Sequence, residues 1–455
     1  MNEAVPMATA VPPTDRWASE FGSFAEAING GEPAWLRRIR EEGLAAFRKL
    51  GFPGRKDEAW KHTDVSPIAR TSFRVEPTPQ PPRFAGDLIE AFTFGVLKCS
   101  QLVFVNGFFA PKLSYLRWLP EGVRVRSLGE VLRASAGALE RSLGSQADVA
   151  TNPFTALNAA FMQDGAFVGI PEKCVVEEPI HLLFVSSGDG GPLATHPRNL
   201  IAMGPRSEAT IIESYAGVDR GMYFTNAVTE ISVGPEAALD HYKMQRESEA
   251  AFHVANTAIH QGRNAHVASS SIALGGGLVR DDVNTLFRDE GGELVLNGLY
   301  ALGGHQHVDS HTFIDHATPN CTSRELYKGI LDGQSRGIFY GKILVRKGAQ
   351  KTNARQTNKN LLLSKEAFVD STPGLEILAD DVRCNHGSTI GQLDESAIFY
   401  LQSRGIGEDA ARSLLTYAFA SEIINQVRVA SMRIKLDQLI LARMPGREVI
   451  REATG

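Results

Sequence analysis

Cysteine is scarce in this chain of 455 residues: Cys99, Cys174, Cys321 and Cys384 are the only four, and no two form a CxxC pair. That scarcity argues against a disulfide-stapled secreted domain and against a preformed cysteine-rich zinc or cluster site. An excess of charge of one sign is also missing. Lys and Arg number 47 against 52 Asp and Glu, a net of −5, so nothing in bulk attracts nucleic acid. No apolar run reaches the ~18 residues of a membrane helix, and the N-terminus lacks a charged-then-apolar signal pattern. The expectation is a cytoplasmic protein with neither membrane nor nucleic acid as partner. No GxxxxGK[ST] occurs, which argues against ATP hydrolysis through a P-loop, and no Ser/His/Asp signature stands out.

Helix signals are missing as well, from about Gly204 to Gly374. What stands there instead is a run of turn signals: Gly204-Pro205, Gly234-Pro235, Gly262-Arg263, Gly291-Gly292, Pro319-Asn320 and Lys347-Gly348. They recur every ~28–29 residues, a fixed period of the kind that marks solenoids. Short apolar or β-branched runs follow most of them, as in Ala209-Thr210-Ile211-Ile212 and Leu294-Val295-Leu296. One coil cannot bury its apolar side chains alone, whereas stacked coils share a core. The reading is a mainly β chain with a parallel β-solenoid. An antiparallel sandwich is the alternative, with turns every ~8–12 residues and some support from Gly275-Gly276-Gly277 and Gly303-Gly304.

Four regions follow. Residues 1–14 are Ala/Pro/Thr-rich and expected to be disordered; 15–165 form a helical and mixed α/β region; 166–390 form the solenoid; 391–455 form a helical domain. Pro33 and Gly51 bracket a helix with Gly43 inside it, and Asn152-Pro153 caps another that stops near Gly165. Residues 76–83 read as a Pro-rich linker and the charged stretch around Trp60 as a solvated connector. Asp394 and Gly405 bracket a C-terminal helix. A longer helix is expected from about Glu408 past Met432, with Leu414, Leu415, Phe419, Ile423 and Val427 on one apolar stripe. Because a solenoid closes its own core, that stripe is a candidate partner-docking surface.

Three groups of residues are candidates for chemistry. Cys384 and His386 are two apart, so on a strand they share a face and can hold a soft or borderline metal or an activated thiolate. Arg383 and Lys365 are placed to lower the thiol pKa if they lie close. His305, His307 and His311 share parity and read as a metal comb or as a hydrogen-bonded ladder. Asp281 and Asp282 suggest a solenoid enzyme acting on acidic polysaccharide, but neighbours on a strand face opposite ways and cannot pair their carboxylates.

Arg55-Lys56-Asp57-Glu58-Ala59-Trp60-Lys61-His62-Thr63-Asp64, Gln356 to Ser364, and Asp381-Val382-Arg383-Cys384-Asn385-His386-Gly387 with Ala397 to Ile406 together resemble the SufB/SufD family of iron–sulfur cluster assembly scaffolds. Within it the Trp60 block and His386-Gly387 resemble the SufD branch. The resemblance implies a right-handed parallel β-helix flanked by N- and C-terminal α-helical regions. It implies a non-catalytic subunit that pairs with SufB and docks the SufC ATPase through Phe399, Leu414, Leu415, Phe419 and Ile423. The cysteine desulfurase and its sulfur-transfer partner enter only indirectly. Cys384 and His386 would lie at the SufB interface, where a transient iron–sulfur cluster forms, with no cofactor held permanently. The paucity of cysteine speaks against cluster ligation by this subunit alone. A homodimer of the isolated chain, or a His-rich homodimeric metal-binding protein, remains the rival assembly.

Overall fold

The computed structural model describes residues 12–28, 32–80, 86–95 and 97–444. Most of residues 1–14, the far end of the 76–83 linker and the last eleven residues of the C-terminal region therefore lie outside it. Pro13 and Thr14, expected to be disordered, instead begin a helix, Pro13–Ile28. Its Trp17 and Phe24 pack with Phe161 and Phe224, so burial of aromatic surface fixes this segment despite its weak local signal.

From Ala166 onward two sheets face each other. One runs from Ile180–Ser186 through Glu208–Gly217, Ala238–Arg246, His266–Ala273, Glu293–Leu302, Thr322–Leu331 and Asn353–Leu362 to Arg383–Gly391. The other runs from Ala166–Ile170 through Arg198–Met203, Tyr223–Val233, Phe252–Gln261, Leu278–Phe287, His307–His316 and Arg336–Val345 to Phe368–Ile377. Every pairing along both is parallel, and the chain alternates between them, giving a solenoid of about eight turns. Ala238 stacks on His266, His266 on Glu293 and Glu293 on Thr322, which is the period read from the turns. The antiparallel sandwich is thereby excluded. Among the described residues, antiparallel strand pairing is confined to the start, Ser100–Val105 with Phe108–Phe109 and Arg124–Ser127 with Ala166–Ile170.

The turns explain the regularity. Arg206, Glu236, Asn264, Gly291, Asn320 and Lys351 occupy equivalent corners of successive coils, all with positive φ. Each amide donates to a carbonyl of the next corner: Arg206 to Pro235, Glu236 to Arg263, Asn264 to Glu290, Gly291 to Pro319, Asn320 to Gln350 and Lys351 to Asp381. Stacking leaves no room beside Gly204 and Gly234, where a Cβ would sit 2.6 and 2.7 Å from backbone atoms of the previous coil. Inside, apolar columns such as Ile231–Ile259 and Ile314–Ile343 fill the lumen, each fully buried side chain contributing roughly 1.5–3 kcal/mol.

The flanking elements clamp onto this stack. Ala34–Leu50 lies against Pro153–Phe161, and Gly43 is required at the crossing because a Cβ would meet Ala156 O at 2.8 Å. Asn152 caps the second of these helices through the Phe154 and Thr155 amides. The Trp60 segment is not a free connector: the Arg280 guanidinium lies 4.2 Å over the Trp60 ring and donates to Ala59 O. Helices Glu395–Ser403, Glu408–Ile424 and Ala430–Leu441 follow the solenoid. The single helix expected beyond Met432 is thus broken. Arg428 sits in the break, its amide bonded to Tyr242 and its guanidinium to Asp240. No helix among the described residues is long and apolar enough to cross a membrane.

Candidate functional site

The N-terminal end of the solenoid is covered by antiparallel strands and helices; among the described residues nothing pairs with the outer edge of its last coil. Phe368–Ile377 and Arg383–Gly391 are the last strands of their sheets, each paired on one side only. Phe368, Ile377, Leu378 and Ile390 are exposed on this last coil. An edge of unpaired backbone groups beside exposed apolar side chains is a surface that other proteins protect or fill.

Cys384 and His386 stand on that last strand and share a face, as the spacing requires. Cys384 is half-buried against the end of the core, beside the fully buried Ala354 of the preceding rung; His386 is exposed. Burial pushes the Cys384 thiol up, opposed by a hydrogen bond from the Ala354 backbone. The expected help from Arg383 is absent because Arg383 alternates to the outer face, and Lys365 is exposed in the turn before Phe368–Ile377. At rest Cys384 is therefore a protonated thiol and not an activated thiolate.

Beneath these two side chains lies a buried polar column that the sequence reading missed. Gln356, directly under His386, donates to Glu325 at 2.7 Å. Burial pushes the Glu325 carboxyl up to about 7, with weaker opposition from Thr312 and Gln356. Ser388, next on the same face, donates to Ser371, which donates to Asn358. The sequence carries no signal for it: Gln356, Asn358 and Asn360 alternate with Arg355, Thr357 and Lys359, so the segment is polar throughout and has no apolar/polar alternation to mark an inner face.

The remaining candidates are separated or engaged. His305 lies in a turn, His307 bonds Thr63, and His311 pairs with Asp309 and stacks on Tyr340. Among the described residues no group of three or more His, Cys, Asp or Glu is placed to hold a metal. Asp281 points inward to Lys243 and Asp282 pairs with Arg280, so they form no carboxylate pair. Of the docking residues, Phe399 is 72% exposed, Leu414, Leu415 and Phe419 are partly buried, and Ile423 is fully buried. Ile423 packs with Met432 and Leu436 against outward-facing Tyr242, Met244, Ile272 and Leu299 of the solenoid. The stripe does have an intramolecular partner, because the outer face of this sheet is itself apolar.

Residues 184–419 match the family described as "SUF system FeS cluster assembly, SufBD core domain", and residues 13–182 match "SufBD protein N-terminal region". The chain is 35% identical over 426 residues to an iron–sulfur cluster assembly SufBD family protein of Synechocystis, covering 91% of this chain and 93% of that one. It is 31% identical over 411 residues to the iron–sulfur cluster assembly protein SufD of Escherichia coli, covering 89% and 92%. Against the SufD of Bacillus subtilis it is 25% identical over 425 residues, covering 92% and 95%.

Proposed function

Since the chain belongs to the SufBD family of iron–sulfur cluster assembly proteins and is SufD-like, we propose that it works as the SufD-type scaffold subunit, pairing with SufB and docking the SufC ATPase. The observation that carries the pairing is the open C-terminal end of the solenoid. A parallel stack must cap its last rung, and among the described residues apolar side chains and a free strand edge are left for another protein to cover. A sister solenoid supplies a matching edge.

In this reading Cys384 and His386 sit at the seam and hold iron or sulfide transiently beside cysteine from SufB. Neutral imidazole is a borderline, exchangeable ligand, which suits a cluster that must be handed on. Once the seam buries Cys384 further, its thiol loses its proton only against a positive or metal neighbour. Catalysis of ATP hydrolysis is assigned to SufC, in keeping with the missing P-loop. SufC docks on the exposed Phe399 side of the C-terminal helices, with Leu414, Leu415 and Phe419 behind it, and Ile423 only supports the helix from within. Motion of those helices reaches the solenoid through Lys328, which meets Glu422 at 2.6 Å and lies 3.9 Å from the Phe419 ring.

The test is His386→Ala in cells that lack other assembly systems, read by the activity of cluster-dependent enzymes. The expected result is a marked loss with the protein still folded; normal activity removes His386 from the site.

A further inference from the structure

The last coils carry a charge pattern that the assembly reading leaves unused. On Thr322–Leu331, Asn353–Leu362 and Arg383–Gly391 alternate side chains face out of the solenoid. That outer face presents Thr322 and Arg324, then Asn353 and Arg355, then Arg383 and Asn385. Arg324 is directly opposite Arg355, Arg355 is opposite Asn385, and Asn353 is opposite Arg383. Rungs lie ~4.8 Å apart. Like charges opposite one another on neighbouring strands destabilise a sheet. Among the described residues none of these three guanidinium groups has a carboxylate partner. Acids on adjoining positions are engaged elsewhere, Asp381 with Lys351 and Glu293 with His266. The patch offers hydrogen-bond donors at every position and no acid.

We propose that this arginine ladder docks an extended acidic segment of a partner protein, its carboxylates seated opposite Arg324, Arg355 and Arg383. The patch is a flat ladder. The groove on the same face, about 330 Å³, lies further along, where Glu177, Glu208, Asp240 and Glu293 line it together with His266 and Arg428. A ladder spread over three rungs suits a chain of carboxylates better than a compact ion. It ends on Arg383–Gly391, whose free backbone edge can pair with an extended segment. The net charge of −5 gives nucleic acid no general attraction to the molecule. Arg383 alternates with Cys384, so the ladder would grip the partner from outside while the thiol faces the end of the lumen. The proposal rests on the reading that this end of the solenoid faces SufB.

The experiment measures binding of SufB from the same organism to the full chain and to Arg324→Glu/Arg355→Glu at several salt concentrations. The expected result is a loss of about tenfold or more and a flatter salt dependence. Arg324→Gln/Arg355→Gln, with its thermal unfolding unchanged, should fall between the two. If the native chain binds SufB and both variants bind equally well with the same salt dependence, the ladder proposal fails while the pairing stands. If the native chain binds no SufB, the pairing fails and takes the ladder with it. Displacement of SufB by a single-stranded oligonucleotide would reassign the patch to nucleic acid and overturn the acidic-segment proposal.

Discussion

At the scale of single residues, strand parity decides what each side chain can do. It joins Cys384 to His386, and it also sends Arg383 away from the thiol. The first consequence was legible in the sequence; the second follows from the same alternation, and only the degree of burial, which depends on neighbouring coils, was not. Because burial raises the Cys384 pKa, alkylation of Cys384 by iodoacetamide in the isolated chain, followed on its own peptide by mass spectrometry, should be slow near pH 7 and rise steadily above pH 9; a fast reaction of that residue at pH 7 would mean an activated thiolate. Glu325 makes a second prediction. Its folded pKa of about 7 lies above the ordinary carboxyl value, so the folded state holds a proton that the unfolded chain has lost. Stability should then fall as pH rises from about 4.5 to 7, with a slope of at most about 1.4 kcal/mol for each step of one in pH. Glu325→Gln should flatten that slope in chemical denaturation. An unchanged slope would show that Glu325 titrates normally.

At the scale of elements, the corners and the helices behave differently. The corner ladder was legible as period but not as conformation, because Arg206, Glu236 and Lys351 carry no local signal for positive φ. Their backbone geometry is imposed by the hydrogen bonds from coil to coil. Left-handed geometry costs an L-residue roughly 1–2 kcal/mol, so Glu236→Gly should be neutral or raise stability by up to about 1 kcal/mol, measured as a shift in denaturation midpoint. Marked destabilisation would mean that the Glu236 side chain holds the corner. The C-terminal helices were legible in their caps, Asp394 and Gly405, but their break was not. Arg428 is held there by Asp240 and Tyr242, residues nearly two hundred positions away in the chain. Phe399, by contrast, has almost no internal contact to lose. Phe399→Ala should leave the thermal midpoint within about a degree of the parent, since exposed substitutions cost little, while reducing co-purification of SufC. Retained SufC binding would move the docking surface elsewhere.

At the scale of the whole molecule, the solenoid is asymmetric. Its first coils are closed by the hairpin and helices of the N-terminal region, and among the described residues its last coil is left with Phe368, Ile377, Leu378 and Ile390 exposed. The period of the turns fixed the stack in advance; which end stays open depends on how far the flanking helices reach, and no local pattern encodes that. The central claim is that this open end, carrying Cys384 and His386, is the surface that meets SufB. Hydrogen–deuterium exchange over residues 383–391, for the dilute chain alone and for the chain saturated with SufB, tests it most directly. Rapid exchange in the free chain and strong protection in the complex, confined largely to the last coil, are the predicted result. Unchanged exchange there, with protection appearing on another face, would contradict it.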